Sequence, residues 1–215
     1  EVVFVLGKSG VGKSVLLKNI VGLTKSDSGT ISVGGIQVDV DNPDTLLQIR
    51  RKCGLVFQFP ALLDSATVFE NIAFGIRALY RQVSSAELQA RVKEKMALVG
   101  LKSDLLEAFP NELSFGAQKR VSIARTLAIE PEYLLFDEPT TGMDPVATHG
   151  LNQLISYLSH HLKVTTVVVS HDIKSAILVG NRVVLLELGR IVFDGSPDEF
   201  KTSTVRLAKE FQIGL

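Results

Sequence analysis

The run Gly7-Lys8-Ser9-Gly10-Val11-Gly12-Lys13-Ser14 restricts this chain more than any other feature. It satisfies the pattern G-x-x-x-x-G-K-[ST] at every fixed position. Residues 2–6 before it are a continuous apolar run, as expected of a parallel strand buried on both faces. Residues 13–21 after it read as a helix. In such a strand–loop–helix unit the glycines let successive backbone N–H groups turn inward and form an anion nest. The helix directs its positive end to the same point. Lys13 then reaches the β- and γ-phosphates of a nucleotide, and the Ser14 hydroxyl is a Mg²⁺ ligand. The whole loop, Gly7, Lys8, Ser9, Gly10, Val11, Gly12, Lys13 and Ser14, is therefore the first candidate binding site.

The rest of the chain reads as the remainder of an α/β fold. A hairpin is expected at 30–38 around Gly34-Gly35, a short helix at 44–51 and a strand at 54–57. From 59 to about 130 the pattern is nearly all helical. Its clearest segment is 84–99, with Ser84 or Ser85 as N-cap and Gly100 as the stop. Strands return at 133–136, 165–169 and 182–186, and Gly189 turns a last hairpin into 191–193. At 215 residues this suggests a single domain, with a strand-rich core at 1–58 and 131–215 and a helical subdomain at about 59–130.

Composition excludes several functions. Lys plus Arg and Asp plus Glu both number 23, so bulk charge offers nothing to nucleic acid. The most apolar stretches, 164–169 and 183–188, are far too short to span a bilayer. The single cysteine, Cys53, rules out an internal disulfide, fits a reducing compartment and reads as core. No leader peptide is visible. Residue 1 is Glu and the pattern opens within a strand, so further residues are expected upstream. His160 and His161 sit near a helix C-terminus without enough neighbouring ligands for a metal. Arg50-Arg51-Lys52 reads as a solvated face. Phe69 and Phe74 read as core of the helical part or as part of a groove for a partner helix near Gln58.

A second acidic site follows the strand at 133–136, which ends in Asp137-Glu138. With a phosphate loop in the same chain, Asp137 is a Mg²⁺ ligand, directly or through water. Glu138 is then free to take a proton from the attacking water.

The motifs together resemble those of the ATP-binding cassette (ABC) ATPases. Leu113-Ser114-Phe115-Gly116-Ala117-Gln118 is similar to their LSGGQ signature, although Phe115 stands for the first glycine and Ala117 for the glutamine. Gln58 sits where the family's Q-loop glutamine falls, Thr141-Gly142-Met143-Asp144-Pro145 looks like its D-loop, and His171 looks like its switch histidine. The resemblance covers nearly the whole chain. It implies a RecA-like, mostly parallel sheet of the P-loop NTPase type, with a small antiparallel β part and an inserted helical subdomain. It implies ATP and Mg²⁺ as cofactors, with Glu138, His171 and Gln58 catalytic and Ser14, Gln58 and Asp137 around the metal. It further implies a head-to-tail homodimer in which Ser114, Gly116 and Asp144 of one copy meet the other copy's nucleotide. The family's adenine-stacking aromatic residue would lie upstream of this chain. A separate membrane permease is implied as partner, and a location on the cytoplasmic face of the inner membrane.

Within that family, Gln58-Phe59-Pro60-Ala61-Leu62-Leu63, the run 68–74 and the C-terminal run 205–214 resemble the ATPases of Mla-type phospholipid transport. That resemblance implies a phospholipid cargo and a lipid-binding substrate protein as a further partner. Polar amino-acid importers are the alternative within the family. Non-transport ABC ATPases of DNA repair or the ribosome are the alternative outside transport.

Overall fold

The structure, a computed structural model, describes residues 1–80 and 82–213. Its centre is a six-stranded sheet of β1 (Val2–Leu6), β4 (Cys53–Val56), β5 (Tyr133–Asp137), β6 (Thr165–Ser170), β7 (Arg182–Glu187) and β8 (Arg190–Gly195). The spatial order is β4-β5-β6-β1-β7-β8. All neighbours run parallel except β8, which returns antiparallel along β7. Pairings such as Phe4 with Val168 and Leu135 with Val167 place the sheet's carboxyl ends, Leu6, Asp137 and Ser170, side by side. A separate two-stranded ribbon, β2 (Ser32–Val33) and β3 (Ile36–Gln37), is the hairpin expected around Gly34-Gly35.

β1 shows why its sequence is apolar without alternation. Val2, Phe4 and Leu6 point into one buried cluster, and Val5 points into another on the opposite face. The second cluster holds Leu17 of α1 (Lys13–Ile20) and Ile49 of α2 (Pro43–Lys52). The first carries α3 (Val68–Leu79), α4 (Ser85–Leu98), α5 (Phe115–Leu127), α6 (Pro145–Leu162) and α7 (Ile173–Val179). Two short helices, α8 (Pro197–Lys201) and α9 (Arg206–Gln212), close the chain. No helix among the described residues is long and apolar enough to cross a membrane.

Helix ends follow local chemistry. Thr67 and Glu70 form a capping box at the start of α3. Ser84 accepts from the Glu87 N–H at the start of α4, and Gly100, at φ +69°, ends that unit.

The structure corrects two expectations. Residues 59–67 and 99–114 contain no α-helix, only two single 3₁₀ turns at Ser103–Leu105 and Pro110–Glu112. The 59–67 segment is instead fastened by buried Asn71, whose Oδ1 accepts from Leu63 N at 2.9 Å while Nδ2 faces the Leu63, Ala66 and Thr67 carbonyls. β4 ends at Val56, not Phe57, because the next two carbonyls are taken by a lysine rather than by a strand. Arg50-Arg51-Lys52 does lie at the solvent, with Arg50 and Arg51 exposed, and two of its members are also tied down. Arg50 donates to the Val21 and Gly22 carbonyls beyond α1, and Lys52 pairs with Glu132 at 2.5 Å. Cys53 is core, as its sequence setting suggested, and burial pushes its thiol up to about 11. Phe69 packs against the core, whereas Phe74 is exposed together with Phe59.

Candidate functional site

The phosphate loop joins β1 to α1. Gly12 is the N-cap of α1 at φ 104°, a left-handed conformation that a side chain would strain. Gly7 serves a different purpose: a Cβ there would lie 2.8 Å from Val11 and 2.9 Å from the Leu186 carbonyl. Lys13 folds back over the loop. Its ammonium donates to the Gly7 carbonyl at 2.8 Å and the Lys8 carbonyl at 3.2 Å, and lies 3.2 Å from Glu138 Oε1. The side chain is only 5% exposed, so this charge acts in a partly dehydrated setting.

The ends of β5 and β6 supply the other half. The Ser14 hydroxyl donates to Asp137 Oδ1 at 2.6 Å. Asp137 is the last residue of β5, and Glu138 after it takes the left-handed φ of +43°. That turn is held by the Glu138 N–H on the Val169 carbonyl at 2.9 Å and swings the carboxylate off the strand direction. Glu138 Oε2 lies 2.7 Å from Nδ1 of His171, just past β6. An ionised carboxylate only accepts, so this contact puts the proton on Nδ1. The imidazole is 61% exposed, free to meet a ligand with its other nitrogen. The helix beyond it is capped by Asp172, which accepts from Ser175 N, so His171 has no capping duty.

These groups line one cleft of about 630 Å³. Of the sequence candidates, Lys8, Ser9, Gly10, Gly12, Lys13, Ser14, Gln58, Glu138 and His171 border it. Gly7 and Val11 shape the loop behind, and Asp137 reaches it through Ser14. The oxygen set of Ser14 and Asp137 suits Mg²⁺, a hard cation held by a few oxygens and otherwise by water and phosphate.

Three candidates lie elsewhere. Ser114 is the N-cap of α5 and accepts from Ala117 N at 3.3 Å; Gly116 has no neighbour within 4 Å of where a Cβ would stand. Asp144 caps α6, accepting from Val146 and Ala147 N–H groups at 2.9 Å each. None of the three borders the cleft.

Besides Val15, which directly follows the loop on α1, sequence reasoning missed two cleft residues. Thr141 sits within the D-loop motif, and its hydroxyl lies 3.4 Å from Glu138 Oε2. Phe211 comes from α9, which is tied to the loop by a Lys8–Glu210 pair at 2.8 Å. The first was legible from its spacing to Glu138; the second carries no local signal, because only the tertiary fold brings α9 there.

The family profile described as ABC transporter matches residues 1–141. The chain belongs to the ABC transporter family. The sulfate/thiosulfate import ATP-binding protein of Bradyrhizobium diazoefficiens is 42% identical over 93% of this chain and 57% of its own length. The methionine import ATP-binding protein of Carboxydothermus hydrogenoformans is 37% identical over 98% of this chain and 62% of its own. The chain thus spans about six tenths of the length of these two relatives. The ATP-binding cassette MJ0796, solved as a dimer in a post-hydrolysis state bound to ADP and Pi, superposes with a TM-score of 0.83 at 35% identity, covering 92% of this chain and 85% of its own. The fold is that of an ABC cassette, with the mostly parallel sheet and small antiparallel part that the resemblance implied.

Proposed function

We propose that this chain is the ATP-binding and ATP-hydrolysing subunit of an ABC transporter that energises a separate membrane permease. The observation that carries this is one cleft in which Lys13, Ser14, Glu138 and His171 converge on the phosphate loop. Loop N–H groups and Lys13 hold the β- and γ-phosphates. Ser14 and Asp137 would hold Mg²⁺, which would supply neutralisation of phosphate charge. Glu138, aimed by its left-handed backbone, accepts the proton of a water that attacks the γ-phosphorus; the bond to the β-phosphate oxygen breaks and ADP leaves. His171 orients Glu138 through Nδ1; its Nε2 accepts from the water when unprotonated and donates to the γ-phosphate when protonated. Gln58, which borders the same cleft, would meet the phosphate and its metal ion there.

A second copy completes the site. The open face of Gly116 and the helix end at Ser114 suit the γ-phosphate of a head-to-tail partner, with Asp144 at the same interface. The segment 59–130, which carries α3, α4 and α5, is the subdomain that meets the permease, at the cytoplasmic face of the inner membrane. The cargo is phospholipid, delivered through a lipid-binding substrate protein. The support is the wording of residues 58–63, 68–74 and 205–214; Gly214 lies outside the described residues. The methionine and sulfate importers among the relatives favour a second reading, a small polar substrate. Mg²⁺-dependent release of phosphate by the purified subunit tests the activity. Co-reconstitution with the permease in its gene neighbourhood, scored for phospholipid against methionine, tests the cargo.

A further inference from the structure

Lys119 lies on α5, one helical turn beyond Gly116, and is fully buried. Its ammonium donates to the Phe57 carbonyl at 3.2 Å and, at close range, to the Gln58 carbonyl. Both acceptors are backbone groups just past the end of β4, where no strand takes them. A buried ammonium is costly and persists where its bonds are strong. Here they fix the peptide planes on both sides of the Gln58 Cα, and hence the direction in which the Gln58 side chain enters the cleft. The Phe115 ring lies 5.7 Å from the same ammonium, within cation–π range. Phe115, bulkier than the glycine of the signature it resembles, is thus engaged within its own chain.

We propose that Lys119 is a positioning residue that clamps the Gln58 loop to the first turns of the signature helix, with Phe115 covering the clamp. Any shift of α5 against a partner's nucleotide is then transmitted to Gln58 through two hydrogen bonds, linking the partner-facing helix end to the cleft of the same chain. The inference rests on the reading of Gln58 as part of the ATP site.

The test uses Lys119→Met, Lys119→Arg, Gln58→Ala and the double variant Gln58→Ala/Lys119→Met in the full-length subunit. Turnover, ATP affinity and hydrogen exchange of the amides at 57–59 are measured. Lys119→Met is expected to lower kcat by about tenfold or more, because small misplacements of catalytic groups are costly. ATP affinity stays within about twofold, since the phosphate loop is untouched, and exchange at 57–59 accelerates. Lys119→Arg restores most of kcat. The double variant is no slower than Gln58→Ala, the non-additivity of two residues acting as one unit. Wild-type kcat and exchange in Lys119→Met overturn the clamp, as does a loss confined to thermal stability. Should Lys119→Met not fold, Lys119→Gln, which keeps an N–H donor, is scored on the same readouts. An unaffected Gln58→Ala overturns the role of Gln58 instead, and exchange at 57–59 then decides the clamp alone.

Discussion

The two halves of the proposed ATP site are built on opposite principles. On the phosphate-loop side, the central side chains bond to one another or to the loop: Lys13 with two carbonyls and Glu138, Ser14 with Asp137, and His171 with Glu138. On the signature side, Ser114 and Asp144 bond only to their own helices, and Gly116 faces open space. The first half is preorganised by the sheet, whose carboxyl ends are held in register by β-pairing. The second half is two helix N-termini presented outward. In the proposed head-to-tail pair a second copy would bring its outward half to the first copy's cleft, so substitutions on the two sides should fail in different ways.

The phosphate-loop side should fail most severely. Lys13→Ala removes the ammonium that folds over the phosphate loop, and ATP affinity is expected to fall by about 100-fold or more. Equilibrium binding of a fluorescent ATP analogue reads this directly. Unchanged affinity would remove the loop from the site. Glu138→Gln keeps shape and loses the proton acceptor, so turnover should drop by about 10³-fold while ATP still binds. Both halves then remain engaged, and size exclusion with ATP and Mg²⁺ should show an accumulated dimer. A monomeric, fully active variant would contradict both the base and the divided site.

What was legible in the sequence follows the same division. The phosphate loop and Asp137-Glu138 are local patterns, and the structure brings them together. Strand positions were readable because parallel strands buried on both faces are continuous apolar runs. The interval 59–67 was misread because Asn71, not a helical ladder, satisfies its backbone. Phe211 and Lys119 were invisible as site residues. Their roles depend on which elements pack together, a long-range fact that no spacing encodes. Asp144 was legible as a motif, but its present work as an N-cap was not separable from a role at an interface.

His171→Ala should cost about 10²-fold in turnover, with ATP affinity and thermal stability little changed, because the ring is exposed and caps no helix. Lost stability with normal turnover per folded molecule would make the histidine structural. Gly116→Ala is the milder counterpart on the outward side. A Cβ at Gly116 meets nothing within its own chain, and alanine is the better helix former by up to ~1 kcal/mol. Monomer stability should hold or rise slightly while turnover falls by about tenfold, because the methyl now stands between the helix end and the partner's phosphate. Equal activity of this variant would show that Gly116 never approaches a nucleotide.

The smallest effect concerns the charge behind the outward half. Burial pushes the Lys119 ammonium down from 10.5 to about 8, while Asp137 pulls the other way. The groups packed around it are the Phe57 and Gln58 carbonyls and the Phe115 ring. Below pH 8 the folded chain carries this charge at a cost. Between pH 8 and 10.5 the unfolded chain keeps the proton that the folded chain has lost, so the unfolded state binds more protons and stability rises with pH. Other groups titrate in the same window, and the comparison that isolates Lys119 is the slope of unfolding free energy against pH in wild type and in Lys119→Met. Wild type should show the more positive slope across that window, by up to ~1.4 kcal/mol per pH unit for one proton. Parallel slopes would place the ammonium in contact with water, and the link between α5 and the Gln58 loop would then be a surface contact of little energetic weight.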